Sequence, residues 1–270
     1  AYSIDVQNDS GLDTYQYALI ASIGQCSAAS YDNTWIDNTN NIQGNITGAG
    51  SWKICVLGKD AAGNAQTAAN ATEYTWLYDN QQPTVLISSS SSNPTNDGLI
   101  EITINLSENV TGLVMGDLVI AGGSADNFAG TNSSYTFELT PSAAGTLTVD
   151  VPAGVASDDS GNTNAAATQF SVVYDNVAPT DTSLIIASDA SHINNTAVTL
   201  TLAATEVNEM YLTNTAGCAT GGNWEAFAAT KGWNLAQSNE TATVYGKFRD
   251  ALGNESGCIS DSIIHDSIPP

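Results

Sequence analysis

The chain has 270 residues and carries 28 acidic side chains against five basic ones, a formal charge of −23. So one-sided a field repels nucleic acid and anionic lipid, which argues against both as partners, and it attracts cations. No apolar run approaches the ~20 residues of a membrane-crossing helix, and no secretion signal is visible, so any leader or anchor is expected outside this stretch.

Three units follow one another, marked by two signatures in step. Asp-x-x-Gly-Asn occurs at Asp60–Asn64, Asp158–Asn162 and Asp250–Asn254, with starts 98 and 92 residues apart. A boundary peptide accompanies it: Tyr78-Asp79-Asn80-x-x-Pro83, Tyr174-Asp175-Asn176-x-x-Pro179 and His265-Asp266-Ser267-x-x-Pro270. The period is too long for a solenoid and suits an independently folded small domain. The expected division is 1–80, 81–177 and 178–270.

In the first unit, Tyr15–Ile20 and Trp52–Lys59 read as strands. In the middle unit, Ile100, Ile102, Ile104 and Leu106 alternate with polar residues, as do Tyr135, Phe137 and Leu139, then Leu147, Val149 and Val151, then Phe170, Val172 and Tyr174. Strict alternation means strands with one face on a core and one in water. Thr84–Ser88, Leu118–Ala121 and a short strand near Phe128 bring the number to about seven, the pattern of an antiparallel β-sandwich. In the third unit, Leu184–Ala187, Val198–Leu202, Met210–Leu212 and Thr243–Phe248 read as strands.

Cys26 and Cys55 fall in the first unit, Cys218 and Cys258 in the third. Three connectivities are open; Cys26–Cys55 with Cys218–Cys258 is the simplest, because it keeps each bridge inside a unit. A zinc site is the poorer alternative, with no Cys-x-x-Cys and only His192 and His265 to help. Disulfides imply an oxidising compartment. Cys26 lies 26 residues from the start, whereas Cys218 follows Pro179 by 39. The first unit is therefore expected to lack its opening strand and to expose a sheet edge that another chain or an upstream segment fills.

The run Ser107-Glu108-Asn109-Val110-Thr111-Gly112, then Gly116-Asp117-Leu118, then Val149 to Ala156, then Asp158-x-x-Gly161-Asn162 resembles the bacterial Ig-like domains of large surface adhesins. The outer units share the acidic turn and the linker, and resemble related Ig-like or fibronectin-III-like repeats with an added disulfide. The resemblance implies an all-β, elongated array of three tandem β-sandwiches in an extracellular, tandem-repeat cell-surface or filament protein. Its implied partners are further Ig-like modules of the same chain or neighbouring subunits of a fibre.

Sandwich topology then places the acids. Glu108 follows the second strand of the middle unit, the loop with Asp158, Asp159 and Asn162 precedes its last strand, and the linker delivers Asp79 and Asn80 to the same pole. The second junction repeats this with Asp175, Asn176, Glu206, Asp250 and Asn254. Clustered carboxylate and amide oxygens suit Ca²⁺, which takes six to eight oxygen ligands; cadherins hold Ig-like modules in a similar way. The competing reading is a plain turn, in which the Asp accepts from backbone N–H groups and Gly and Asn supply positive φ.

Five tryptophans raise a carbohydrate-binding alternative, with cell-surface glycans as partners. Trp52 and Trp76 lie in strand-like runs and are expected in the core. Trp35, Trp224 and Trp233 lie in the connections after the first cysteine of each outer unit, where exposed rings would stack on sugars. Asn8, Asn45, Asn70, Asn105, Asn109, Asn132, Asn194, Asn239 and Asn254 head glycosylation sequons, which permit but do not imply modification. Neither histidine has a nucleophile at a recognisable spacing, so no enzyme is expected, although an accessory segment of a secreted hydrolase stays open.

Overall fold

The computed structural model describes residues 2–4, 12–31, 34–37, 40, 42–44, 46 and 48–270. The sequons at Asn8 and Asn45, and residues 5–11 of the first unit's opening, lie outside the described residues. Every sheet is built from strands of one stretch of sequence, and the buried apolar side chains fall into three separate clusters.

The first segment holds β1 (Tyr2–Ile4), β2 (Thr14–Ala21), β3 (Ile36–Asp37), β4 (Ile42–Gly44), β5 (Gly50–Lys59) and β6 (Thr72–Tyr78). Its larger sheet runs β3-β2-β5-β6; its smaller sheet, among the described residues, is β1 with β4. Tyr15, Ile42 and Ile54 form its buried centre. Trp52 and Trp76 face each other across β5 and β6 and are half-buried, not the core residues the alternation suggests. Trp76 packs against the cluster from its margin, and Trp52 donates its indole N–H to the Gly48 carbonyl at 3.0 Å.

The middle segment holds β7 (Val85–Ser89), β8 (Ile100–Val110), β9 (Val119–Ala121), β10 (Gly123–Pro141), β11 (Gly145–Asp150) and β12 (Phe170–Tyr174). Two three-stranded sheets, β10-β8-β7 and β12-β11-β9, enclose the largest core. Ile100, Ile102, Ile104, Phe137, Leu139, Leu147 and Val149 are at most 1% exposed, because each occupies an inward position of its alternating strand. The strand expected near Phe128 is the first limb of β10. Gly130 (φ 130°) and Asn132 (φ 61°) turn the chain, so that Phe128 stacks on Tyr135 and Asn127 donates to Glu138. A side chain at Gly130 would lie 2.3 Å from the Ser134 carbonyl, which reserves that turn for glycine.

The third segment holds β13 (Thr180–Ile186), β14 (His192–Ile193), β15 (Ala197–Thr205), β16 (Glu209–Thr213), β17 (Trp224–Ala226), β18 (Thr230–Asn234), β19 (Thr241–Arg249) and β20 (Ile259–His265). Sheet β13-β15-β18 faces sheet β14-β20-β19-β16-β17. Ala187, expected at the end of β13, instead opens a left-handed run with Ser188 and Asp189. Cys26 bonds Cys55 and Cys218 bonds Cys258, each bridge within one segment. No helix among the described residues is long and apolar enough to cross a membrane.

Candidate functional site at the segment junctions

The acidic turn has the same internal geometry in all three copies. In the middle copy, the Asp158 carboxylate accepts from the backbone N–H of Ser160 and of Asn162, both at 2.8 Å, and from the Asn162 side-chain amide at 2.9 Å. Asp250 accepts in the same way from Leu252 and Asn254, and Asp60 from Asn64. Gly63, Gly161 and Gly253 sit at φ values of 85°, 85° and 88°, a region in which a Cβ is costly. The turn reading of the motif is thus a finding in its own right: the aspartate is the hub of its own loop. Burial pushes the Asp158 carboxyl up, but the donated hydrogen bonds from Asn162, Ser160 and Gly161 outweigh it and hold the group below the ordinary aspartate value. The Asn64 amide and backbone N–H hold Asp60 low by the same means.

The linkers repeat as well. Asp79 accepts from the Gln81 N–H, Asp175 from Val177 and Asp266 from Ile268, each fixing a tight bend two residues long. Turn and linker are then tied together by the asparagine. Asn162 Nδ2 donates to the Asp79 carbonyl at 3.2 Å, and Asn254 Nδ2 to the Asp175 carbonyl at 3.0 Å. Each amide therefore clamps the incoming linker through its backbone, acting as a donor where the sequence suggested an oxygen ligand.

The junctions differ in their carboxylates. Asp79, Glu108 and Asp158 bring one ligand oxygen each within 4.8 Å of one another, and among the described residues no other group of three acidic side chains does so. Burial, then the charges of Asp158 and Asp79, raise the Glu108 carboxyl above its ordinary value. The stretch from Pro83 to Pro179 contains no Lys or Arg to offset that charge. Asn80 accepts from the Gln81 side chain and is exposed, as is Asp159. At the second junction β15 ends at Thr205, and Glu206 turns into the left-handed region (φ 58°) and into solvent, whereas β8 runs straight through Glu108 to Val110. Among the described residues, Asp175 and Asp250 thus meet no third carboxylate, and Asn176 is exposed. A different contact replaces it. Asn96, beyond the 93–95 stretch that lies along the end of β12, donates across the junction to the Leu252 carbonyl at 2.9 Å and to Asn254 Oδ1 at 3.3 Å. Asn96 carried no sequence signal, since nothing in its neighbourhood marks it as the residue facing the next turn.

Among the aromatic candidates, Trp35 and Trp224 are covered by cations: Lys59 lies 4.7 Å from the Trp35 ring centre, and Lys247 and Arg249 lie 5.2 and 4.4 Å from that of Trp224. In both segments the basic residue directly before the acidic turn supplies the cap.

Residues 79–174 match the family described as a bacterial Ig-like domain, from the linker Asp79 to the end of β12. The resemblance read from the middle segment's sequence is therefore shown for that segment. No curated protein matches the chain. Among solved structures, the chain is similar to an Escherichia coli adhesin, FdeC, at 17% identity over 94% of this chain and 87% of that one, with a TM-score of 0.37. It is also similar to the adhesin InvE of Yersinia pseudotuberculosis, at 14% identity over 67% of this chain and 58% of that one, TM-score 0.27. The FN1–FN3 domains of chicken CNTN1 match at 10% identity over 98% and 96%, TM-score 0.29.

Proposed function

We propose that the chain is a non-enzymatic spacer or fibre segment of a secreted bacterial surface adhesin. Three sandwich modules, 1–80, 81–177 and 178–270, stand in tandem, and a calcium ion stiffens the first junction. The bacterial Ig-like match of the middle module supports the adhesin setting, and the two disulfides support an extracellular one. The observation that carries the calcium reading is the convergence of Asp79, Glu108 and Asp158 where the linker meets the middle sandwich. Three carboxylates held together without a compensating cation repel one another, and a hard divalent ion with oxygen ligands reverses the sign of that interaction. Glu108 and Asp158 belong to the middle sandwich and Asp79 to the linker, so an ion shared among them would fix the angle between modules. Water would complete its six to eight ligands.

Spin labels on the first and middle segments test this. Addition of calcium should narrow the distance distribution and EDTA should broaden it, and Glu108→Gln should abolish the difference while the middle segment stays folded. A distribution indifferent to calcium in the unaltered chain would remove the ion from the account. Solution scattering tests the tandem arrangement independently: a compact particle would overturn it.

A further inference from the structure

We propose that the third segment carries a binding cleft for a neutral sugar ring, at the free edge of β18. This goes beyond the role of a spacer and does not depend on calcium. The cleft, of about 410 Å³, opens between β18 and the end of β16, and Thr213, Asn214, Thr215, Lys231, Trp233 and Asn234 line it. That volume falls within the range of small-ligand sites. Trp233 is half-buried against the core, and its indole N–H donates to Asn214 Oδ1 at 2.9 Å, which fixes the ring in one orientation. Asn214 in turn donates to the Asn234 carbonyl at 3.2 Å, so the wall of the cleft is held before any ligand arrives.

The chemistry of the lining selects the ligand. In a chain of charge −23, no carboxylate lines this cleft, which disfavours a cation. Lys231, its charged wall residue, is paired with Glu225 at 2.5 Å, so no net positive charge is offered to an anion. A lipid would find one aromatic ring among hydroxyls and amides. What remains is a polyhydroxyl ring with an apolar face for Trp233 and hydroxyls for polar groups around it. The register supplies some of those groups. Leu202 donates to the Ala229 carbonyl and Leu235 to Thr196, so Ala229, Lys231, Trp233 and Leu235 turn their backbone towards β15. Gly232, between them, turns its N–H and C=O outward on the edge strand. Thr215 and Asn234 also line the cleft, and a hydroxyl and a side-chain amide belong to the groups they bring to it.

The test is an NMR titration of the full chain, following the five tryptophan indole signals, with Trp233 assigned by Trp233→Phe. The probes are glucose, galactose, mannose and N-acetylglucosamine, and glucuronate as the anionic control, each raised to about 50 mM; monosaccharide affinities of this order need millimolar ligand. The expected result is a saturable shift of the Trp233 signal with at least one neutral sugar. Thr215→Tyr, which fills the cleft, should abolish that shift, and Asn234→Ala should weaken it about fivefold, the effect of one lost hydrogen bond. Should Thr215→Tyr disturb the fold, Asn234→Ala alone decides. No shift with any neutral sugar, a shift with glucuronate alone, a shift spread evenly over all five tryptophans, or a response that survives the variants would each overturn the proposal. None of these outcomes bears on the calcium experiment.

Discussion

The two junctions start from nearly the same sequence and end in different chemistry. Both place the clamp asparagine of an acidic turn on the carbonyl of the linker aspartate. At the first, an uninterrupted β8 keeps Glu108 beside that clamp, and three carboxylates meet. At the second, Glu206 itself adopts a left-handed backbone just beyond β15 and is exposed, and a neutral amide from the preceding sandwich, Asn96, makes the contact instead. One joint stores repulsion that a cation can relieve; the other is closed by hydrogen bonds that need no ion. On the proposed function, a spacer built this way would have one calcium-adjustable hinge and one fixed hinge, although its repeats look alike.

The sharpest way to break this comparison is to remove the hub of each turn. Asp158→Ala and Asp250→Ala should each lower the melting temperature of their own segment by roughly 5–10 °C in calorimetry, since each strands two backbone N–H groups and an amide. Only Asp158→Ala should also change the response to calcium; an equal change from Asp250→Ala would erase the distinction. A smaller effect is expected from Glu108→Gln. In EDTA it should raise the melting temperature of the middle segment by about 2 °C, because a repelled charge is gone, and in calcium it should lose the stabilisation seen in the unaltered chain. Next comes Asn96→Ala, which removes about 1 kcal/mol of closure from the second junction. Spin-label distances across that junction should broaden equally in calcium and in EDTA.

The smallest effect is that of pH on the cation-free chain. Glu108 titrates above its ordinary value of 4.5 in the folded state. A carboxyl raised by folding contributes stability that is fully present below the unfolded value and is lost as pH rises through the folded one. In EDTA the first junction should therefore be tightest near pH 4 and loosen as the pH climbs past 4.5. In calcium the trend should reverse, since the ion needs the deprotonated form. A scan of label distances from pH 4 to 7 in both buffers reads the two signs directly.

Much of the fold was legible because alternation has a fixed physical meaning. The inward residues of Ile100–Leu106 and Leu147–Val151 could be listed without coordinates, and they are the buried ones. The turn was legible too, since Asp, Gly and Asn at that spacing satisfy one another locally. The tryptophans were not. Trp52 and Trp76 share a pleat with residues that do reach the centre, but their size and their place beside the segment's margin leave them half-covered. The cations on Trp35 and Trp224 come from a strand distant in sequence, a pairing that no local pattern announces.

By itself, then, the sequence determined the strands, the turns, the disulfide-bearing outer segments and the excess of negative charge. The strands and turns follow from period-two patterning and from interactions a few residues long, and the charge and the placing of the cysteines in the outer segments are read directly from the residues present. Tertiary structure alone decided whether recurring acids meet. Whether Glu108 or Glu206 reaches its neighbours depends on how far one strand runs before a single residue adopts a positive φ, and on which loop of the adjoining sandwich stands opposite. Those are distances between parts of the chain far apart in order, and the repeat that makes the junctions look identical on paper does not encode them.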